Sequence, residues 1–572
     1  MRTSPCLRPT PTAGFTMVLA LIFTAITLLV LAAALSWCST NSALTARNNQ
    51  YFTTSAAAEA ATEKVITSLS RDYQSAGEFL VSANLASYRS LVPTPAENGA
   101  WSKYAFNDAS GNSAQTHVER LSTASYIPLQ SQYSGLYGLA SSFRIVSNAR
   151  MVNEPYAIDA GVKQEVQLAS IPLFQFAIFY AMDLEINPGP NMNVTGRVHG
   201  NSTIWMQPIN TLTFQSHVTA GGQIFQTKST NDPTVRSLVN SSVVFQGEHD
   251  ANVASINLPI GTNNSPSAVR AIVDVPPDTE LPTSLMGQQR YYNKADLVIL
   301  VSNNTVLARS GSFNNFTTVI PPTEVNYFLK TNVTFYNKRE GKTVKTTELD
   351  VGILKSWSGT NSNLKTALGH DVSSVYIADL RTQSGITESG VRIKNGQTLP
   401  SLGLTVATPN PLYVQGNYNA PSAFLGTTNT STTLPASLVG DSINILSTAW
   451  NDANAGSGLS TRIAADTTVN AALLGGIVPS NGSSYSGGVE NFPRFLEDWG
   501  GRKLAYNGSM VVMFYSQIST APWGGSDVYS PPNRQWTFDL NFMDPAKLPP
   551  GTPAARALIR GQWALVKPNS TS

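Results

Sequence analysis

The sequence predicts an α+β protein, in which a long N-terminal helix crosses a membrane, then packs on a sheet, and leads into a large, mainly β region. Three observations support this class. An uncharged apolar run lies near the N-terminus, a stretch without proline or glycine follows it, and short apolar segments alternate with turn residues through the rest of the 572-residue chain. Charged residues make up only 13% of the chain, against a usual fraction of about 25%, which is typical of extracellular β proteins.

The apolar run extends from Phe15 to Cys38 and contains no charged residue. A helix of this length measures about 36 Å, enough to cross a hydrocarbon core of about 30 Å. A secretory signal has a shorter apolar region, although cleavage after the small residues 32–34 is the alternative. Trp37 directly before Cys38 disfavours a lipoprotein signal and is typical of an anchor at the membrane interface.

The segment before the run, residues 1–14, is short, basic and rich in proline, with the sequence MRTSPCLRPTPTAG. Arg2 and Arg8 precede the run, whereas the first charge after it is Arg47. This asymmetry predicts a single-pass protein whose N-terminus stays in the cytoplasm. Gly14, at the junction, allows a protease to approach the backbone closely.

The basic leader, Gly14-Phe15-Thr16 and the long apolar helix together resemble the class III signal of type IV prepilins and pseudopilins. The resemblance implies that a prepilin peptidase cuts between Gly14 and Phe15 and methylates the new N-terminus at Phe15. It also implies that the retained helix anchors the protein in the inner membrane and then contacts other pilins or pseudopilins, which leaves the body at the pilus or cell surface after assembly.

One position departs from that family. Most pilins carry a glutamate at the fifth mature position, where this chain has Leu19. A carboxylate inside hydrocarbon is costly unless it is paired, and in the family it is thought to meet the N-terminal amine of a neighbouring subunit. A chain lacking it resembles PilX-type minor pilins and tip pseudopilins, which implies a low-copy, initiating or tip role.

The helix is predicted to continue beyond the membrane, because no proline or glycine occurs between Ser39 and Tyr73. An apolar stripe recurs at heptad spacing, at Leu44, Tyr51, Ala58 and Val65, which predicts an amphipathic helix packed on a globular head. The segment AAAEAATEKVITSL also resembles the alanine-rich stretch of PilX-type proteins. The plainer alternative is an ordinary helix of a membrane-anchored protein.

Alternating apolar and polar residues then predict strands that form a pilin-like sheet on this helix. Further along, apolar residues recur at nearly even spacing between turn residues, and the pattern returns near Val406, Val414 and Ile445. This spacing predicts either a β-solenoid or a β-sandwich. The predicted divisions are a leader (1–14), a transmembrane helix (15–38), helix plus pilin-like sheet (39–170), a solenoid or sandwich unit (171–230 and 396–470), an insertion (231–395) and a C-terminal α+β region (471–572).

The C-terminal region carries two local predictions. Helical spacing of Phe492, Phe495, Leu496 and Trp499 predicts a helix, and Asn507-Gly508 between two apolar runs predicts a β-hairpin. These segments resemble a recurring C-terminal region of PilX-like bacterial envelope proteins of unassigned function, which supports the class without indicating a ligand.

The sequence indicates no catalytic, cofactor or metal site. There is no P-loop, no G-x-S-x-G and no H-E-x-x-H. Asp452 and Asn454 have calcium-loop spacing, but Ile463 occupies the twelfth position and excludes an EF-hand. The net charge of +2 provides no basic field for nucleic acid. Both cysteines lie in or before the apolar run, so the body has no disulfide. None of the histidines has a partner at metal spacing: His117, His199, His217, His249 and His370.

These observations favour a non-enzymatic, membrane-anchored structural subunit for a type IV pilus or a type II secretion filament. One alternative is a cell-surface adhesin whose β-rich head binds a glycan or another surface. A minor alternative is an anchored polysaccharide hydrolase, for which Glu490, Glu497 and Asp498 are the candidate carboxylates.

Overall fold

The structure is a computed structural model that describes residues 13–312, 315–525 and 527–568. Residues 1–12 of the predicted leader, including Arg2 and Arg8, therefore lie outside the described residues. The described chain forms a long N-terminal helix, an antiparallel sheet packed on it and a large stack of mainly parallel strands. The predicted α+β class, a long apolar helix followed by a large β-rich region, is confirmed.

Helix α1 (Ala13–Ala83) has two halves with different surroundings. Residues 14–49 are exposed, and the first buried side chain is that of Gln50. The exposed half contains the one segment, among the described residues, that is long and apolar enough to cross a membrane, with a mean hydropathy of 2.8 over its most apolar window. In the predicted stripe, Ala58 and Val65 are fully buried, whereas Leu44 is exposed, because the sheet covers the helix only from about residue 50 onward.

The covered half of α1 lies on an antiparallel sheet that includes the end of the chain. Strand β33 pairs with β5 from Ala554–Pro172 to Val566–Gly161. The sheet is therefore completed by a strand that follows the whole stack in the sequence. Its strands are β1 (Tyr104–Asn107), β2 (His117–Arg120), β3 (Ser125–Pro128), β4 (Tyr137–Met151), β5 (Asp159–Pro172) and β33 (Ala554–Val566).

Strand β33 also holds the helix at its kink. Gly77 has φ 67° and ψ −155° within α1, a conformation that glycine adopts without steric cost. Around this kink, the Arg556 guanidinium donates hydrogen bonds to the carbonyls of Tyr73 (3.1 Å) and Gln74 (3.0 Å). The Gln74 side-chain amide donates in return to the Arg556 carbonyl at 2.8 Å. The C-terminal strand therefore satisfies backbone carbonyls of the last turns of the helix.

Between β5 and β33 the chain forms a stack of short strands. The first part advances in regular rungs, because Ile178 pairs with Val198 and Val198 with Val218, all in parallel. A second face repeats in the same way from Leu184 to Ile204 to Ile224. These strands are β6 (Ile178–Tyr180), β7 (Leu184–Ile186), β8 (Met192–Val194), β9 (Val198–Gly200), β10 (Ile204–Met206), β11 (Thr211–Phe214), β12 (Val218–Ala220), β13 (Ile224–Phe225), β14 (Ser242–Phe245) and β15 (His249–Asp250).

The chain then crosses to the other end of the stack, where strands β16 to β18 and the β19–β20 pair form antiparallel edges. Helix α2 (Leu85–Tyr88) lies between α1 and the antiparallel sheet. The other short helices occupy the crossing and this end of the stack: α3 (Pro266–Arg270), α4 (Leu285–Gln289), α5 (Tyr291–Lys294), α6 (Pro322–Phe328), α7 (Val351–Thr360) and α8 (Ser362–Leu368). The strands are β16 (Leu297–Val301), β17 (Val306–Ser312), β18 (Asn315–Ile320), β19 (Leu329–Asn337) and β20 (Lys342–Asp350).

The second part of the stack returns toward the first and joins it. Strand β31 pairs in parallel with β6, so that Met510 lies beside Ile178. The strands of this part are β21 (Ser374–Asp379), β22 (Thr387–Lys394), β23 (Leu404–Ala407), β24 (Leu412–Gln415), β25 (Ala436–Gly440), β26 (Ile443–Leu446), β27 (Thr467–Asn470), β28 (Ala472–Ile477), β29 (Arg494–Phe495), β30 (Lys503–Asn507), β31 (Met510–Tyr515) and β32 (Asn533–Thr537).

A single column of buried apolar side chains runs through both parts of the stack. Each member pairs in register with the next, across strands β21, β23, β25, β28, β31, β6, β9 and β12. All are at most 4% exposed, so the two parts share one core. The members are Val375, Val406, Leu438, Leu473, Met510, Ile178, Val198 and Val218.

These parallel ladders have the arrangement of a solenoid and differ from a sandwich of antiparallel sheets. The structure also divides the chain differently from the sequence-based boundaries. Segment 231–395 is not a separate insertion, since it holds the last strands of the first part and the first strands of the second. Region 471–572 is not one unit either, because β28 to β32 belong to the stack and β33 to the antiparallel sheet.

Two local predictions in the C-terminal region are wrong. No α-helix forms around Phe492 to Trp499, where the chain instead makes a short 3-10 turn (Val489–Asn491) followed by β29. Asn507-Gly508 does not join a hairpin, because β30 and β31 belong to different faces of the stack. It is a corner, and glycine is required because a Cβ at Gly508 would lie 2.0 Å from the Ala471 carbonyl oxygen on the next rung. Tight corners between rungs thus use the same residues as hairpin turns.

The corner is held by a ladder of asparagine side chains. The Asn507 amide donates to Asn470 Oδ1 at 2.6 Å, and the Asn470 amide donates to the Asn419 carbonyl at 2.9 Å. Thr537 donates its hydroxyl to Asn507 Oδ1 at 2.5 Å. Because Asn507 and Asn470 are buried, these bonds satisfy polar groups that water does not reach.

We expect Asn507→Ala to destabilise the stack by about 1–3 kcal/mol, since it leaves the buried Asn470 Oδ1 without its donor and the half-buried Thr537 hydroxyl without its acceptor. The urea midpoint of unfolding measures the effect. Asn304→Ala, in the exposed turn between β16 and β17, is the matched control and should change stability by less than about 0.5 kcal/mol. Equal midpoints for the two variants would contradict the ladder's role.

Candidate functional site

The predicted processing residues lie at the very start of α1. Gly14 has open space around it, with no atom within 4 Å of an added Cβ. Phe15 and Leu19 are exposed, at 76% and 42% respectively. No part of the described head covers this segment. Gly14, Phe15 and Leu19 are therefore all accessible, on two consecutive turns of the helix.

A second candidate site is a cleft where the two parts of the stack meet. One chamber of about 590 Å³ and a neighbouring one of about 480 Å³ share Pro190, Glu490, Pro531 and Arg534 in their walls. The first part of the stack contributes the β7–β8 turn and the segment between β13 and β14. The second part contributes the segments that follow β28 and β31.

Two consecutive glycines lie directly behind two side chains that line the cleft, those of Trp523 and Glu490. Gly487 and Gly488 have φ values of 96° and 64°, which are strained for any residue with a Cβ. A Cβ at Gly487 would lie 2.7 Å from the Trp523 ring, and one at Gly488 would lie 2.5 Å from the Glu490 carboxylate. The Gly-Gly pair therefore lets an indole and a carboxylate approach the backbone closely.

Glu490 is the central polar group of the cleft. It is only 5% exposed and accepts hydrogen bonds from the Tyr485 hydroxyl (3.1 Å) and the Asn187 backbone N–H (3.3 Å). Burial raises the pKa of Glu490 to about 7, against the lowering effects of these bonds and of the Arg534 charge. Near neutral pH this carboxyl is therefore present in both protonation states and can accept or donate a hydrogen bond.

Two arginines are fixed beside this carboxyl. The Arg236 guanidinium pairs with Asp232 at 2.6 Å and lies 4.6 Å from the centre of the Tyr485 ring. The Arg534 guanidinium donates to Asn491 Oδ1 at 2.9 Å and lies 5.4 Å from the centre of the Trp536 ring. Within the part of the chain that the structure describes, Arg236 Nη2 and Arg534 Nε are buried and have no hydrogen-bond acceptor.

The three carboxylates considered for hydrolysis do not share this cleft. Of Glu490, Glu497 and Asp498, only Glu490 lines it. Glu497 accepts from the backbone N–H and the hydroxyl of Ser447, both at 2.6 Å, and burial raises the pKa of Glu497 to about 7. Asp498 accepts from the Gly500 N–H at 3.0 Å. The absence of a helix here separates side chains that helical spacing would have placed on one face.

The residues considered for metal binding are occupied by other contacts. Asp452 pairs with the Arg392 guanidinium at 2.6 Å. His199 is buried between Thr219 and Asn201, and burial lowers its pKa to about 4. Over residues 13–312, 315–525 and 527–568, no cluster of three or more His, Cys, Asp or Glu side chains could hold a metal ion.

The sequence by itself indicates only some of the residues that form the cleft. The aromatic density of the C-terminal region and the carboxylate Glu490 are visible in the sequence, and Gly487-Gly488 is a usable turn signal. Asn187 and Arg236 cannot be assigned to the same site from the sequence, because both lie far before Glu490 in the chain. Only the pairing of β31 with β6 brings these segments together.

No family model matches the chain, and no curated protein matches it in sequence. Among solved structures, the chain is similar to the competence-associated pilin ComZ from Thermus thermophilus, with 11% identity and a TM-score of 0.30, over 90% of this chain and 98% of that one. A similarity at this TM-score carries no argument about fold or function.

We expect the pH dependence of stability to reveal the buried Glu490. Because its pKa is raised above the usual value of 4.5 to about 7, the folded chain binds more protons than the unfolded chain between these values. The unfolding free energy therefore falls as pH rises through this window. Glu490→Gln removes that contribution, so the stability of the variant relative to the native chain should rise by roughly 1–3 kcal/mol between about pH 5 and pH 8.

Urea unfolding of both chains at the two pH values measures this change, and the other titrating groups cancel in the difference. Asp498→Asn is the matched control: the Ser530 hydrogen bond lowers the Asp498 pKa below 3.8, so its difference from the native chain should stay constant from about pH 5 to pH 8. A constant difference for Glu490→Gln as well would show that Glu490 is not buried as described.

Proposed function

We propose that this chain is a membrane-anchored structural subunit of the PilX-like minor pilin or pseudopilin class, for a type IV pilus or a type II secretion filament, and that it performs no catalysis. The observation that carries the proposal is the division of α1. Its apolar half, which begins at Gly14-Phe15, is exposed from residue 14 to residue 49, whereas its other half is packed on the head.

An exposed apolar helix of this length requires a partner outside the head. About 25 cal/mol is gained for each Å² of apolar surface removed from water, and the side chains from Phe15 to Trp37 are nearly all free to contribute. A bilayer supplies this cover before assembly, and the helices of other pilins or pseudopilins supply it in a filament. We place the chain in a bacterial inner membrane, N-terminus in the cytoplasm and head in the periplasm.

Processing between Gly14 and Phe15 by a prepilin peptidase would leave Phe15 as the methylated first residue and Leu19 as the fifth. Without a carboxylate at that position, the helix offers no partner to a neighbouring N-terminal amine. Together with a head that holds most of the chain, this supports a low-copy, initiating or tip-located subunit rather than the repeated subunit of the filament.

A second candidate function is adhesion, and the cleft between the two parts of the stack favours it. At the tip of a filament or on the cell surface, this cleft would be available to a ligand. The two functions are compatible, because the helix would serve assembly and the head would serve contact.

Gly14→Leu should block processing, because a branched side chain at the junction prevents close approach of the peptidase to the backbone. Mass spectrometry of the N-terminus in the membrane fraction is the measurement. We expect N-methylated Phe15 in the native chain and an intact leader in the variant, with the precursor retained in the inner membrane.

Ala20→Leu is the matched control, since it adds a similar bulk within the same helix and away from the junction. It should be processed as the native chain is. Processing of Gly14→Leu at the native position would refute the proposal. A native N-terminus near Leu35 would indicate ordinary secretion, and an intact Met1 would indicate a simple anchor, and either result would also refute it.

A further inference from the structure

We propose that the cleft at the junction of the two parts of the stack binds an acidic saccharide, one whose sugar rings carry carboxylates. The proposal goes beyond the filament role, and it depends on the head alone. Its basis is a wall of fixed aromatic rings beside two guanidinium groups that line the same chamber.

The aromatic wall consists of Tyr485, Trp523 and Tyr529. The Tyr485 and Trp523 rings meet edge to face, with centroids 5.3 Å apart. The Trp523 indole donates to the Tyr529 hydroxyl at 2.9 Å, and that hydroxyl donates to Asn491 at 2.6 Å. These bonds fix the rings before any ligand arrives. Rings of this kind present an apolar face and a polar edge, which complements a sugar ring with its C–H faces and peripheral hydroxyls.

The guanidinium groups supply the charge that distinguishes an acidic sugar from a neutral one. Arg236 is held by Asp232 and Tyr485, and Arg534 by Asn491 and Trp536. Each keeps one buried N–H without an acceptor in the described part of the chain. An unsatisfied buried donor carries a substantial desolvation cost, and a carboxylate is the acceptor that guanidinium groups bind most strongly. Both residues line the cleft, so their guanidinium charges favour a ligand carboxylate there over a neutral group.

The remaining features of the cleft fit the same ligand class. Its larger chamber of about 590 Å³ lies in the range of about 300–1,000 Å³ typical of small-molecule sites, and the neighbouring chamber extends it for a second sugar unit. Glu490 is the one carboxylate in the wall among the residues that the structure describes, and burial raises its pKa to about 7. At about pH 6 it is mainly protonated, so it opposes an anionic ligand weakly and can donate to a sugar oxygen.

The experiment uses the full chain in detergent micelles at about pH 6, with isothermal titration calorimetry. Three acidic probes are each matched by the neutral sugar that lacks only the acidic group or residue: trigalacturonic acid with galactotriose, trimannuronic acid with mannotriose, and 3′-sialyllactose with lactose. We expect saturable binding of at least one acidic probe, at least tenfold tighter than its neutral match. Absence of saturable binding by all three acidic probes would overturn the proposal.

Variants locate the binding. Arg534→Gln and Trp523→Ala should each weaken it at least tenfold, while Arg309→Gln and Trp563→Ala, in exposed positions on other strands, should leave it unchanged. Thermal unfolding of each variant confirms folding, and Arg534→Gln is the cleaner substitution because it removes the charge while keeping much of the side chain.

Tight binding that survives both cleft variants would overturn the assignment of the cleft, and equal affinity for the neutral sugars would overturn the role of the carboxylate. The purified chain is tested whether or not residues 1–14 have been removed, so a negative result here leaves the filament proposal standing. Equally, normal processing of Gly14→Leu would not affect this test.

Discussion

The pairing of β31 with β6 is the contact on which the rest of the head depends. It joins strands from opposite ends of the stack's sequence, with Met510 beside Ile178, and so merges two stacks of rungs into one core. Without it, each part would expose a row of unpaired backbone groups and an apolar face. The order of strands in the stack therefore differs from their order in the chain. In the longest sheet, β31 is the last strand in sequence, yet it lies beside β6, which is the first. Such distant pairing is expected to slow folding, since loop-closure entropy is lost before the contact is gained.

A second long-range contact connects the head to the helix. Strand β33 completes the antiparallel sheet, and Arg556 bonds the carbonyls exposed by the kink at Gly77. The entire stack is thus inserted between two adjacent strands of a sheet that holds α1. A force applied to the exposed apolar half of α1 would reach the head through this sheet, in which both ends of the stack are anchored side by side. This connection suits a subunit whose helix is embedded in an assembly while its head is exposed.

The same junction that closes the core also produces the cleft. Corners between rungs are tight where they contain asparagine and glycine, as at Asn507-Gly508. Where a long segment replaces the corner, the neighbouring rungs are not closely covered and a cleft remains. Such segments meet where β31 lies beside β6. Their arginines and aromatic rings contact one another, and Tyr529 and Trp536 also pack on core rings. Binding residues on loops that a rigid scaffold positions are a common arrangement, and here the scaffold is the continuous column of apolar side chains.

Much of this molecule follows from local patterns in the sequence. The uncharged run from Phe15 to Cys38, the covered helix from Ala58 to Leu69 and the recurrence of apolar residues in the stack are periodicities that burial dictates, and the α+β class follows from them. The predictions of a hairpin at Asn507-Gly508 and of a helix near Trp499 are wrong because corner glycines and clustered aromatic residues have the same local signature in several folds.

The partners of β6 and β5 are decided only by tertiary structure. Strand β6 pairs with β31 and β5 with β33, and neither partner lies near in the sequence. Strand pairing depends on backbone groups that every residue carries, so no local pattern indicates that residues near 510 and 560 complete structures begun near 170. The sequence by itself determines which segments are buried as helix or strand, and the tertiary structure decides which of them meet.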